Sequence, residues 1–419
     1  MMSYKETNLK HNYLVNILDG AFFGLGMSFA SLTTIVPLFV STLTDSALLI
    51  GLIPAIHTAG WQIPQLLMAK KISGLSTFKP HVLMATIHER LPFILLAFVA
   101  LFSKKIGVTG SLILTYLLLI WQGLGAGITA NSWQNMIGKL IPADIRATFF
   151  AIQSSAANLL ASGGAILAGL LLEKIANPYN FAACFGSTAI GMSISWFFLY
   201  LIKEEERPVS EKPTENTSLL KITRDILSSD KNFSWFLISR MLTQFGLMSF
   251  SFYIVYGVSK LGMTEIMAGL LTSTLFIVQV IANPILGKVA DRFGSKVVLE
   301  FGAVCMVLSI ILILLIHDLD WFFLIFIFAG LANTSFWTIG LALTLEFGTE
   351  ELRPTYVGLA NTLIAPASIL APIFGGVLAD SAGYQYTFLF AVFSALITLV
   401  CLHFFVKNPR QPQSPVYLK

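Results

Sequence analysis

The sequence predicts an all-α polytopic membrane protein, with twelve transmembrane helices in two pseudo-symmetric halves of six. Three observations lead there. Apolar stretches of ~20 residues, enough to cross a hydrocarbon core as a helix, recur along the whole chain. One polar segment, residues 203–231, interrupts them near the midpoint. The sequences on either side of it repeat each other. Composition agrees: 56% hydrophobic and 11% charged residues, with a mean hydropathy of +0.78, exclude an ordinary soluble domain. A barrel is excluded because barrel strands are short and alternate in polarity.

The predicted spans of the first half lie near 14–40, 47–68, 80–102, 110–137, 147–172 and 180–202. Those of the second half lie near 233–257, 266–287, 297–316, 321–346, 355–379 and 386–406. This gives an N-terminal bundle over 1–202, a linker over 203–231, and a C-terminal bundle with a short tail over 232–419. The start, "MMSYKETNLKHNY", is read as leading into a permanent first helix, since the first apolar run is too long for a signal peptide and no small-residue cleavage site follows. Within the linker, "LLKITRDIL" has the pattern of a short amphipathic surface helix. Asn216 begins an N-T-S sequon.

Lys and Arg alternate strongly between successive loops. One side holds Lys5, Lys10, Lys70, Lys71, Lys79, Lys139, Arg146, the linker cations, Lys288, Arg292, Lys296, Arg353, Lys407, Arg410 and Lys419. The other holds Lys104, Lys105, Lys174 and Lys260. Positive charge marks the cytoplasmic side, so both termini are expected there, in a plasma membrane. The polar hairpin "NPILGKVADRFGSKVVLE" at 283–300 then becomes a cytoplasmic turn between helices 8 and 9. Cys184, Cys305 and Cys401 fall inside three separate predicted helices, which excludes a disulfide framework and zinc-type spacing.

At an offset of about 207, Gly123-Leu124 falls on Gly330-Leu331, Arg146 on Arg353, Thr148 on Thr355, Gly169 on Gly376, Tyr179 on Tyr386 and Phe181 on Phe388. Earlier in each half the offset is about 220, with Phe-Gly-Leu at 23–25 and 245–247, and Pro64 and Pro284. Parallel six-helix repeats are a transporter architecture, with the substrate at midplane between them.

"PILGKVADRFGSK" at 284–296 resembles the signature hairpin of the major facilitator superfamily. The first helix, with Asp19 and the "VPLF" ending, is similar to the drug-efflux-like branch, and "APIFGG" at 371–376 resembles the kink of its antiporters. The first half departs from that pattern. Leu67 and Lys71 replace the hairpin's Gly and Asp, Leu119 stands where the drug/proton branch carries a buried Arg, and "GAILAG" lacks the proline. The resemblance implies that helices 1, 4, 7 and 10 line the pathway. It also implies that the hairpin, through Gly287, Asp291, Arg292, Gly294 and Lys296, docks on the start of helix 5 near Arg146. Lys71 would face Arg353 in the other half, with Glu350 and Glu351 near enough to pair with Lys70 and Lys71.

Ionisable side chains in mid-membrane are costly and so are functional candidates. Asp19 lies roughly 9 Å inside helix 1, and the repeat places Arg240 of helix 7 in the equivalent position. Either they act together on a charged substrate, or each is satisfied within its own half. His88, Glu89 and Arg90 form "HER" in helix 3; this is no zinc motif, because Pro92 occupies the place of a second histidine. They are read as a Glu89–Arg90 packing network, with proton relay as the alternative. His57 and Gln62 of helix 2 either face the pathway or serve packing. Glu300 is expected to serve the hairpin. "NSWQN" and "NTSFW" offer Asn131, Trp133, Gln134, Asn333 and Trp337 as aromatic walls and polar handles of a small-molecule site, or as helix–helix hydrogen bonds. Trp196, Trp235 and Trp321 are expected as interfacial anchors.

The chain therefore reads as a secondary transporter of a small organic solute by alternating access, with no enzymatic chemistry, cofactor or metal expected. It has no P-loop to use ATP. Efflux of an amphipathic compound coupled to a proton or sodium gradient leads. A metabolite or sugar importer, and a lipid-handling protein or membrane enzyme, are the alternatives. The expected partners are the solute, the coupling ion and the bilayer, with no nucleic acid, and the expected state is a monomer.

Overall fold

The computed structural model describes residues 4–409 other than 33, 45, 208–218, 264 and 316–317. The middle of the linker, with Lys212 and the Asn216 sequon, and the tail from Arg410 lie outside the described residues. Twelve helical segments follow in order. They are α1 (Tyr4–Phe29, followed by a short Ile35–Ser41 piece), α2 (Ala47–Gln62, continued by Pro64–Ser73) and α3 (Lys79–Leu101). Next come α4 (Val108–Leu140), α5 (Arg146–Lys174), α6 (Tyr179–Leu201), α7 (Lys231–Val258) and α8 (Glu265–Phe293). The last are α9 (Ser295–Leu315), α10 (Leu319–Thr344), α11 (Arg353–Ser381) and α12 (Tyr384–Phe404). Among the described residues, ten of these are long and apolar enough, by length and composition, to cross a membrane. The remaining two, α1 and α2, carry polar ends or a break: α2 is interrupted at Ile63, just before Pro64. Chain-interior prolines re-aim a helix because they lack the donor for the preceding turn. The linker's "LLKITRDIL" lies in a helix, Leu219–Ser229, whose Ile226 is buried.

Contacts group the chain into two compact units. Unit one comprises Met1–Ile141, Gln153–Pro213 and Glu351–Thr362; unit two comprises Pro142–Ile152, Thr214–Glu350 and Leu363–Lys419. The first turns of α5 thus belong with the second unit and those of α11 with the first. The two exchanged segments are equivalent under the offset of about 207.

Each unit has an aromatic-rich core. In unit one, Phe39 packs edge-on to Phe185 at 5.5 Å and against Phe181 at 5.3 Å. In unit two, Tyr253 is surrounded by Phe326 at 6.2 Å and Phe388 at 5.8 Å, with its hydroxyl 3.0 Å from Ser309 Oγ. These edge-on pairs suit the positive rim and negative face of the rings.

Two repeat-related clasps close the units at the linker side. The Asn12 amide donates to Lys203 O at 2.7 Å and its oxygen accepts from Lys203 N at 2.9 Å. Asn232 does the same with Lys407, at 3.0 and 2.6 Å. Each ties the chain just after the last helix of a half to the start of its first helix. In unit one the clasp is extended. Glu204 accepts from the backbone N–H of Phe78 at 2.9 Å and of Lys79 at 2.7 Å, satisfying the free donors at the start of α3, and it bridges to Lys139 at 2.9 Å. Arg207 donates to Leu75 O at 2.9 Å and Ser73 O at 2.8 Å.

Small residues set the closest helix approach. A Cβ on Gly60 of α2 would lie 2.6 Å from the carbonyl carbon of Gly123 on α4. Gly60→Ala is expected to lower stability by ~1–3 kcal/mol through overpacking. Gly169→Ala, where nothing lies within 4 Å, is expected to be neutral or stabilising. Thermal unfolding in detergent distinguishes the two.

Candidate functional site

The buried charges of unit one converge. Asp19 on α1 and Arg90 on α3 have side chains 6% and 9% exposed, and Arg90 Nη2 lies 3.9 Å from Asp19 Oδ1. Ser195 on α6 stands between them: Arg90 Nη2 donates to Ser195 Oγ at 2.8 Å, and Ser195 Oγ donates to Asp19 Oδ1 at 2.6 Å. Arg90 Nε donates to Met192 O at 3.1 Å, one turn earlier on the same helix, and its guanidinium lies 5.7 Å from the centre of the Phe23 ring. The Trp133 indole of α4 hydrogen-bonds the Asp19 carboxylate as well. Glu89 is buried within electrostatic reach of Arg90 and Asp19, and accepts from Thr86 Oγ1 at 3.4 Å. Residues 89 and 90 project about 100° apart around a helix and do not face each other. Arg90 therefore hydrogen-bonds to α6 and lies beside Asp19 of α1, while Glu89 stays within electrostatic reach of it.

Arg240, the repeat equivalent of Asp19, lies in unit two. Its guanidinium donates to Thr344 Oγ1 at 3.5 Å and sits 5.8 Å from the Phe236 ring. His57 Nδ1 is 3.0 Å from Gln122 Oε1, and His88 Nδ1 accepts from Trp121 Nε1 at 3.2 Å. Asn333 is half-buried. Trp337 is 56% exposed, within a π-helical turn, Ser335–Ile339, of α10. Trp196 donates to Leu83 O at 3.2 Å and stacks on Tyr200, Trp235 stacks on Phe405 at 4.2 Å, and Trp321 is exposed.

The hairpin residues lie in unit two. Asp291 Oδ1 accepts from Ala147 N at 3.0 Å and Oδ2 from Thr148 N at 2.7 Å. The carboxylate thus caps the free donors at the start of α5. Gly287 permits the approach, since a Cβ there would lie 2.6 Å from Ala151 Cβ. Arg146 is buried and donates to Leu345 O at 3.5 Å. Gly294 makes the turn at φ +97°, a conformation that suits glycine. Arg292 is exposed beside Phe293, while Lys296 donates to His403 O at 3.0 Å and pairs with Glu300 at 3.4 Å.

In unit one the equivalent contact is made of neutral amides. Asn361 Nδ2 donates to Gln65 Oε1 at 2.7 Å and to Gln134 Oε1 at 3.4 Å. Asn131 Nδ2 donates to Gln65 O at 2.9 Å and Pro354 O at 2.8 Å, and Thr362 Oγ1 donates to Gln62 O at 2.9 Å. Lys70 and Lys71 are exposed, as is Glu351, and among the described residues of this unit no ion pair joins them; Arg353 is half-buried, and Glu350 is exposed in unit two. The sequence reading missed Ser195, Gln65 and Asn361. Serine in an apolar helix carries no periodic signal, and Gln65 and Asn361 lie nearly 300 residues apart.

The model of the Major Facilitator Superfamily matches residues 90–259 and 236–417. The chain belongs to the major facilitator superfamily. It has the fold of that superfamily, with twelve helices in two halves. A probable vesicular acetylcholine transporter-B of Danio rerio is 30% identical over 139 residues, 33% of this chain and 27% of that protein. A Na(+), Li(+), K(+)/H(+) antiporter of Planococcus maritimus is 28% identical over 167 residues, 38% of each chain. Two solved structures share the fold. A bacterial homologue of the iron transporter ferroportin, outward-facing, is 16% identical with a TM-score of 0.74, over 94% of this chain and 98% of that one. The E. coli fucose:proton symporter is 14% identical with a TM-score of 0.71, over 94% and 100%.

Removing one member of a buried ion pair strands the other charge. Arg90→Gln is expected to cost ~3–5 kcal/mol, and the double variant Asp19→Asn/Arg90→Gln to recover part of it, since Glu89 remains. Thermal unfolding of the singles and the double provides the cycle.

Proposed function

We propose that this protein is a plasma-membrane secondary transporter that works by alternating access and exports a small organic cation in exchange for protons. The observation that carries this is the charge count of the buried cluster: two carboxylates, Asp19 and Glu89, share one guanidinium, Arg90. With both acids ionised the cluster holds one surplus negative charge in a medium that tolerates none cheaply. A proton neutralises it, and so does a cationic substrate. Competition between the two is the essence of exchange. The Phe23 ring, over which the Arg90 guanidinium lies at 5.7 Å, is an aromatic face of the kind that suits an organic ammonium group. Two relatives named for moving cations, one of acetylcholine and one of alkali ions against protons, support the same reading. The Lys/Arg-rich loops support termini on the cytoplasmic side.

Reconstituted protein tests it with choline, acetylcholine and tetraethylammonium as probes, driven by an imposed pH or sodium gradient. Within the competitive range, each unit of falling pH is expected to weaken cation binding about tenfold. Asp19→Asn and Glu89→Gln are each expected to lower proton-driven exchange at least about tenfold while preserving expression. Cation transport that ignores pH, or full activity in both variants, would exclude the proposal; dependence on sodium would replace the proton.

In this reading the capping of α5 by Asp291 is a latch on the cytoplasmic side, present when that side is closed. A carboxylate at a helix N-terminus contributes ~0.3–1 kcal/mol. Asp291→Asn is therefore expected to shift the ratio of closed to open molecules about two- to fivefold toward open, with thermal stability nearly unchanged. Spin-label distances between positions 144 and 288 measure it, and an unchanged distribution in the variant ends the latch reading.

A further inference from the structure

Neither the charge pattern of the sequence nor the family match points to Ser195, which is fully buried on α6. We propose that Ser195 is a positioning residue of the cation site: its hydroxyl is the joint through which Arg90 registers whether Asp19 carries a proton. The inference rests on the proton-exchange reading above.

The bond lengths define the path. Arg90 Nη2 is 3.9 Å from Asp19 Oδ1, too far for a hydrogen bond, whereas both are within 2.8 Å of Ser195 Oγ. A guanidinium only donates, so Ser195 must accept from it. A hydroxyl has one proton, and that proton goes to Asp19 Oδ1. The chain Arg90→Ser195→Asp19 therefore runs in one direction while Asp19 is an ionised acceptor. When Oδ1 takes up a proton, two hydrogens compete for one line. The new carboxylic O–H donates to the second lone pair of Oγ, and the serine proton turns away. Arg90 then loses its relayed counter-charge and retains Glu89.

The surroundings hold the three groups in place so that the change is felt as a reversal of bonding rather than a drift. Arg90 Nε is anchored to Met192 O, one turn from Ser195. Helices α1 and α6 are pressed together where a Cβ on Gly191 would lie 2.8 Å from Gly26 Cα, so the Ser195–Asp19 separation cannot widen without unpacking both helices. From the other elements at Asp19, α3 presents Glu89 and Arg90, and α4 presents Trp133. One Arg90 nitrogen, Nη1, is buried without a hydrogen-bond partner, which makes the bond to Ser195 matter more to the guanidinium.

The test uses full-length protein in liposomes and infrared difference spectra across a pH jump. The carboxyl C=O band of protonated Asp19 is identified as the one lost in Asp19→Asn. In Ser195→Ala that band is expected to move to higher wavenumber, because the carboxyl loses a hydrogen-bond partner. Proton-driven exchange of the cation probe is expected to fall about tenfold or more, as when a hydrogen bond to a charged group is lost. Ser195→Thr, which keeps the hydroxyl, is expected to restore both the band and the exchange. Ser195→Cys, similar in size but a weak donor, is expected to behave as the alanine variant and serves in its place if that variant does not fold. An Asp19 band that is unmoved in Ser195→Ala or Ser195→Cys, with exchange intact, overturns the role of Ser195 alone. Absence of any band that Asp19→Asn removes overturns the proton-exchange reading and this inference with it.

Discussion

A charge placed among apolar helices has to find its partner within the protein, and in unit one that requirement fixes three helices at once. The Asp19, Ser195 and Arg90 side chains join α1, α6 and α3, elements far apart in sequence. The apolar cores on either side supply contact area, but dispersion is non-directional and lets a helix slide or rotate with little change. A short hydrogen bond to a buried ion does not. The depth of α3 relative to α1 is set by this joint, and the close glycine contact of α6 with α1 at Gly191 lies one turn from Ser195.

The same logic separates the two contacts made by the exchanged helix starts. Asp291 binds the start of α5 through ionised oxygens on free backbone donors. Gln65, Asn131 and Gln134 meet the first turns of α11, Asn361 among them, through neutral amides that are all buried. The first depends on the charge state of a carboxylate. The second has no titratable member and depends on geometry alone. The repeat has kept the place of the contact and changed its chemistry.

The fold was legible in the sequence because membrane spans announce themselves by length and apolarity, and the duplication by a constant offset. The hairpin was legible by resemblance: "PILGKVADRFGSK" matches a family signature, and the family's docking pattern implied that Asp291 meets the start of α5. The charged cluster was half legible. Asp19, Glu89, Arg90 and Trp133 all stood out as costly or polar in mid-helix, but which of them meet depends on helix rotation. Adjacent residues such as Glu89 and Arg90 project in different directions on a helix, so the text does not show that Arg90 also reaches Ser195 and Asp19. Ser195 and Asn361 were illegible, since small polar residues are common in membrane helices and gain meaning only from what lies across the interface.

The linker-side clasps bear on how the chain is made. Synthesis runs from the N-terminus, and domains close as their last parts emerge. Asn12 needs Lys203, and the start of α3 needs Glu204. The first half therefore acquires its own closing bonds once residue 207 leaves the ribosome, before any helix of the second half exists. Its amide contact with α11 has to wait for residues 354–362, another 150 or so residues later. The newborn first half is thus a finished bundle with one set of buried amides, on Gln65, Asn131 and Gln134, still without their partners from α11. Asn131 Nδ2 already donates to the backbone carbonyl of Gln65, and Gln65 Nε2 to Trp61 O, so the protein waits for its second half with polar groups that are neutral and partly satisfied, which limits the cost of the delay.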